Sequence, residues 1–153
     1  MQQRPSSRLL VVNGRDEVLL FRFEPKVGPF AGQVFWATPG GGLEPGEDYR
    51  GAARRELHEE LGLCLDDVGP EIAKRIARFT LPSGEVVEAD ERYFLEQVDQ
   101  HAVSDANWTQ LEHEEISADC WWSQTELRMT WEQVWPERLE AMLVNAGVWK
   151  EVL

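Results

Sequence analysis

Three glutamates, Glu56, Glu59 and Glu60, stand at positions i, i+3 and i+4 of a stretch that reads as helix, Arg55-Glu56-Leu57-His58-Glu59-Glu60-Leu61. At about 100° per residue these positions share one side of a helix, so their carboxylates meet. Like charges at that spacing repel, by roughly a few tenths of a kcal/mol per pair on an exposed helix and by more where a cleft limits screening by water. A divalent cation reverses the sign. Carboxylate oxygens are the ligands that hard ions such as Mg²⁺ or Mn²⁺ prefer, and a bound ion becomes the largest charge in its site. The cluster therefore reads as half of a metal site. A solvated acidic helix face is the competing reading, and the flanking residues decide between them.

Gly40, Gly41 and Gly42 lie upstream. A run of glycines lets backbone approach a ligand closely and adopt positive φ, but the Gly-Lys-Ser/Thr ending of a P-loop is missing. Pro45-Gly46 signals a turn, and Glu47 or Asp48 can cap the helix that follows. That helix is predicted to run from about Asp48 to Leu61, anchored on a sheet by Leu57 and Leu61 and ended by Gly62. Arg55 is next to the cluster in sequence but about 100° away around the helix, so it need not neutralise the glutamates and can reach back to Glu47. His58 points away from them and reads as solvated.

Taken as a pattern, Gly41, five residues, Glu47, seven residues and then Arg55-Glu56-Leu57-His58-Glu59-Glu60-Leu61-Gly62-Leu63 resembles the signature of the Nudix hydrolase family, with every fixed position filled. The resemblance implies an α/β fold, an α/β/α sandwich with a mixed β-sheet. It implies a Mg²⁺-dependent hydrolase, with Mn²⁺ as an alternative ion, that cleaves a phosphoanhydride bond in a nucleoside diphosphate linked to another moiety. It also implies Glu56, Glu59 and Glu60 as ligands, the Gly40 carbonyl as an added ligand, and an Arg55–Glu47 pair that orients loop and helix. A further family carboxylate comes from a loop before a late strand. The matching stretch is Glu112-His113-Glu114-Glu115, where register favours Glu115 and leaves Glu112 and Glu114 open. Glu56 or Glu115 could serve as general base, since closely placed carboxylates titrate as a coupled set.

Around this motif the chain reads as a single domain, residues 1–153, of ordinary apolar content. Arg8 to Val12 and Glu17 to Phe23 flank Asn13-Gly14-Arg15-Asp16, a hairpin signal with Gly14 suited to positive φ. Glu24 to Gln33 reads as loop, and Val34 to Thr38 as a short strand leading into the glycines. Ile72 to Leu81 and Glu85 to Val98 suggest a second hairpin about Pro82-Ser83-Gly84. Asp99 to Glu115 reads as a long loop, Ile116 to Trp122 as a strand, and Ser123 with Glu126 as a capping box opening a short helix. A final helix is predicted from near Pro136, with Leu139, Met142, Leu143 and Ala146 on one stripe.

A net charge of −13 excludes a general attraction to nucleic acid or anionic membranes, so an anionic substrate must be met locally. Two cysteines, Cys64 and Cys120, are too few for a disulfide framework. With no signal-peptide or membrane-span pattern at the N-terminus, the expected compartment is the cytoplasm. The expected partner is a nucleotide-type small molecule, and the resemblance also allows a homodimer. Aromatic faces for a base and arginines for phosphates make Arg22, Arg78, Trp36 and Trp108 the candidate substrate-binding residues, with Phe35 and Tyr93 behind them. Trp131 and Trp135 are expected to pack a helix or loop onto the domain. Marks of the ADP-ribose, diadenosine-polyphosphate, coenzyme A and NADH subfamilies are missing. Two rival functions remain. A nucleotide-sensing module could lose the glutamates that this chain keeps, and a diphosphate isomerase would need a pocket cysteine, for which neither Cys64 nor Cys120 is convincingly placed.

Overall fold

The structure, a computed structural model, describes residues 2–81, 83–99 and 103–152. Four consecutive apolar residues, Leu9 to Val12, set the architecture. On a strand alternate side chains point to opposite faces, and all four are essentially inaccessible, so both faces of their strand must be covered. Leu9 and Val11 enter one core with Leu19, Phe21, Ala53, Leu57 and Leu61. Leu10 and Val12 enter a second core with Val18, Leu20, Leu139, Met142, Leu143 and Trp149. The result is a mixed sheet between helices, as the sequence pattern implied.

The strands are β1 (Gln2–Val12), β2 (Val18–Phe23), β3 (Phe35–Ala37), β4 (Gly40–Gly42), β5 (Glu71–Thr80), β6 (Val86–Gln97), β7 (Ile116–Trp122) and β8 (Val134–Trp135). Their order is β5-β6-β1-β2-β3-β8, with β4 added to β1 and β7 to β2. β1 runs parallel to β6 over its full length, and β3 parallel to β8. β1 meets β2 antiparallel, with Val12 opposite Val18. β4 takes the β1 edge at Ser6 to Arg8, with Ser6 opposite Gly42 and Arg8 opposite Gly40. The helices are α1 (Tyr49–Glu56), which continues into a π-helical turn at Leu57–Leu61, then α2 (Gln110–Glu115), α3 (Gln124–Met129) and α4 (Leu139–Asn145).

Several expectations change. Gly40 to Gly42, read as loop, form β4, because three residues without side chains can lie flat against β1. β1 starts at Gln2 rather than Arg8, drawn out by its parallel partner β6, which no local pattern announces. In the first turn Asp16, not Gly14, takes the positive φ of 55°, with Asn13 Oδ1 accepting from the Arg15 and Glu17 amides. The predicted loop up to Glu115 contains α2, opened by a Thr109–Glu112 capping box. Trp131 is 95% exposed and packs nothing down, whereas Trp135 lies under the Arg75 guanidinium at 5.4 Å. The turn after Leu81 includes Pro82, which lies outside the described residues, but Gly84 still donates to the Leu81 carbonyl at 2.9 Å.

Leu57 and Leu61, both fully buried, seat the functional helix on the sheet. Leu57→Ala should lower the unfolding free energy by about 2–5 kcal/mol in a denaturant titration. Leu111→Ala, at a half-exposed leucine of α2, should change it by no more than about 0.5 kcal/mol.

Candidate active site

The site begins where β4 passes into α1. Asp48 is the N-cap, its Oδ1 accepting from the Gly51 amide at 2.7 Å. This frees Glu47 for Arg55, which donates from Nε at 2.8 Å and from Nη2 at 2.9 Å in a two-point pair. The guanidinium holds the Glu47 carboxyl below the usual carboxylate range. Nη2 also donates to the Gly42 carbonyl at 2.9 Å. Contrary to the expectation from helical angle, Arg55 reaches the cluster as well. Its Nη1 lies 3.0 Å from Glu56 Oε1 and 3.1 Å from Glu59 Oε2. Angle on the helix constrains the Cβ, whereas a long stem and a five-donor fork let the head group wrap around the turn.

Glu56 and Glu60 are buried, at 6% and 4% exposure, which is rare for carboxylates and costly unless they are paired. Gly40 donates its amide to Glu60 Oε2 at 3.0 Å. A Cβ on Gly41 would stand 2.6 Å from Glu56 Oε1, so that position admits only glycine while Glu56 is in place. At Gly40, φ is +131° and a Cβ would run into the Ser7 carbonyl and Arg8 Cα. The π-helical turn widens the helix, so Glu56 and Glu60, like Leu57 and Leu61, come closer to alignment along the axis than in a regular α-helix. Gly62 ends it with φ 77°, its amide donating to the His58 carbonyl at 2.9 Å.

A third carboxylate, that of Glu112, lies close to Glu56 and Glu60. One ligand oxygen each from Glu56, Glu60 and Glu112 lies within 4.8 Å of the other two. Register favoured Glu115, but the group of close carboxylates contains Glu112 in its place. Residues 110 to 115 form a helix, and Glu115 at its last position is drawn to the Lys26 backbone. Its Oε1 accepts instead from the Lys26 amide at 3.3 Å. Trp108 fixes the approach of α2, donating Nε1 to the Glu60 carbonyl at 2.9 Å and stacking edge-on to Phe21 at 5.6 Å. It serves as a strut to the helix end. The Thr-x-x-Glu capping pattern at Thr109 was the sequence signal for α2, with Glu112 Oε1 accepting from the Thr109 amide at 2.9 Å.

The remaining sequence candidates find partners elsewhere. Trp36 is a core residue, edge-on to Trp122 at 5.1 Å, with Nε1 donating to Glu132 at 2.7 Å. Strand alternation turns it toward α4, away from the carboxylates. Arg22 pairs with Glu24 at 3.0 Å and donates to Ser117 Oγ at 2.9 Å, and the largely exposed Arg78 pairs with Glu88 at 2.8 Å. Tyr93 is buried, with its hydroxyl on Glu91 at 3.2 Å.

Burial raises the pKa of Glu56, and burial together with the Glu56 charge raises that of Glu60 well above the carboxylate range. An all-oxygen set of three close carboxylates fits a hard divalent cation.

A NUDIX domain model matches residues 2–142. Nucleoside triphosphatase NudI of Salmonella arizonae is 50% identical over 54 residues, 34% of this chain and 37% of that protein. The match thus spans little more than a third of that relative's length. Among solved structures, a NUDIX hydrolase from Nitrosomonas europaea aligns with a TM-score of 0.64 at 22% identity, covering 95% of this chain and 89% of that one. The E. coli ORF135 protein aligns at 0.60 with 20% identity, covering 97% and 91%. At these identities the structural likeness speaks for the fold alone.

The raised pKa values set a sign for stability. A carboxylate whose folded pKa lies above its unfolded value of about 4.3 binds more protons when folded, so stability falls as pH rises from that value through the folded pKa. Without divalent ions, the melting temperature of Glu60→Gln should gain on wild type between pH 5 and 8. A difference that does not vary with pH would contradict the burial argument.

Proposed function

The chain belongs to the NUDIX domain family, and on that premise we propose that it is a Mg²⁺-dependent hydrolase of a phosphoanhydride bond in a nucleotide. One observation carries the reading: the oxygens of Glu56, Glu60 and Glu112, from two separate helices, converge within 4.8 Å. Such convergence costs electrostatic energy that only a cation or a proton relieves. Glu56, Glu60 and Glu112 would hold the ion, with the Gly40 carbonyl beside them. When bound, Mg²⁺ would screen the phosphate charge and lower the pKa of water in the site.

The protein groups divide the remaining work. Arg55 ties β4 to α1 through Gly42 and Glu47, keeping the glycine strand in register with the carboxylates. Glu59, half-buried and paired to the same guanidinium, lies at the outer edge and completes the acidic rim. Glu56 is the candidate for general base, with Arg55 Nη1 on one of its oxygens, whereas Glu115 is engaged at the Lys26 amide. A proton affinity raised by burial suits a base working near neutral pH. The similar NudI proteins carry the name nucleoside triphosphatase. The substrate range to test therefore includes nucleoside triphosphates beside nucleoside diphosphates linked to a sugar or second nucleoside. Among the described residues no helix is long and apolar enough to cross a membrane, which suits a small-molecule substrate met in water.

The test is phosphate and pyrophosphate release over that nucleotide panel, with and without Mg²⁺. Glu56→Gln should lower kcat about 10²-fold or more. Glu112→Gln should also lose most of the rate, whereas Glu115→Gln should stay near wild type. Saturable nucleotide binding with no release from any substrate would instead favour a nucleotide-sensing module.

A further inference from the structure

The glycine strand that borders the carboxylates has almost no conformational preference of its own, and Gly40 in particular sits at φ +131°. Something outside the strand must fix it. Both polar backbone groups of Gly40 are held: its amide by Glu60 Oε2 at 3.0 Å, and its carbonyl by Arg8 Nη1 at 3.2 Å. Arg8 is itself anchored by a second arm, Nε to Glu91 Oε2 at 3.1 Å. Glu91 is 7% exposed and fully engaged, since its other oxygen accepts from Arg75 Nη1 at 2.7 Å and from the Tyr93 hydroxyl at 3.2 Å. Arg75 is in turn bound to Glu137 at 3.0 Å. The post that supports Arg8 thus crosses β1, β6 and β5 and ends beside α4, on the sheet face opposite α1.

We propose that Arg8 is a positioning residue for the candidate ion site, fixing through its carbonyl the Gly40 backbone whose amide holds Glu60 Oε2. The inference rests on the reading of the Gly40 strand and the Glu56, Glu60 and Glu112 carboxylates as that site, and it is independent of which substrate is cleaved. A carbonyl oxygen has two lone pairs, so accepting from Arg8 leaves one for an ion. Glu91 offsets the guanidinium charge, so the clamp supplies direction without the repulsion that a lone arginine would exert on a cation. The fork is what makes it work: one donor reaches the post and another reaches the carbonyl. A lysine can keep the ion pair but cannot span both acceptors with the same geometry. No motif marks Arg8 in the sequence, because its partner Glu91 lies far along the chain and its target is backbone.

The test measures Mn²⁺ binding to the purified full chain by the loss of the free-ion electron paramagnetic resonance signal, alongside kcat and KM. Outer partners of metal ligands typically contribute about 10- to 100-fold in metal affinity. Arg8→Gln is therefore expected to weaken Mn²⁺ binding about tenfold and to lower kcat while nucleotide KM stays near wild type. Arg8→Lys should give an intermediate affinity with a melting temperature close to wild type, which separates positioning from folding. Leu143→Ala opens the α4 core without touching Arg8, Glu91 or Gly40, so it should lower the melting temperature and leave Mn²⁺ affinity near wild type. Wild-type Mn²⁺ affinity in Arg8→Gln overturns the proposal. So does a rise in KM alone, which would put Arg8 on the substrate, or an equal loss in Leu143→Ala, which would make the effect structural. Were wild type to bind Mn²⁺ and cleave nothing on the panel, the proposed activity would fall while the clamp would still be judged by the Arg8 variants.

Discussion

A single guanidinium connects the parts that must act together. Arg55 is bonded at once to Glu47, to the Gly42 carbonyl, to Glu56 and to Glu59. The turn, the glycine strand and the helix therefore move as one body. Without a cation at that point, the carboxylates gathered along α1 would push the strand and the helix apart. Arg55 offsets part of that repulsion, at the outer side of the cluster. On the inner side burial raises the proton affinity of Glu56 and Glu60, and their close oxygens suit a divalent cation. In a chain of net charge −13, Arg55 thus supplies positive charge inside this acidic group.

The rest of the fold holds this arrangement to within hydrogen-bond tolerances. Leu57 and Leu61 bind the helix to the sheet, the missing side chains of Gly40 and Gly41 let β4 lie against both β1 and Glu56, and Trp108 brings α2 to the helix end. Each contact joins residues distant in sequence. Substitutions at Gly40 or Gly41 consequently act on the site through packing, although neither residue has a side chain to offer.

How much of this the sequence carried depended on the range of the interaction. The helix carrying the glutamates, its Gly62 terminator and the two N-terminal strands follow from patterns within one element, and they were legible. The Arg55–Glu47 pair was anticipated, but the reach of Arg55 to Glu56 and Glu59 was not, because a helical wheel places Cβ atoms and ignores a long side chain. Glu112 was ranked behind Glu115 because a polar, acidic segment read as loop, although Thr109 and Glu112 form a capping box there. Trp36 looked like a stacking face until strand alternation buried it in the α4 core. Arg8 and Glu91 could not be paired from sequence at all, since the parallel register of β1 with β6 alone brings them together.

The central claim is that the carboxylates of Glu56, Glu60 and Glu112 form one cation site, with Glu115 outside it. Anomalous diffraction from crystals soaked in Mn²⁺ addresses it directly. The account predicts a peak coordinated by those three side chains, with Glu115 still accepting from the Lys26 amide. A peak coordinated by Glu115 in place of Glu112, or no peak at the cluster with Mn²⁺ bound elsewhere, would contradict it.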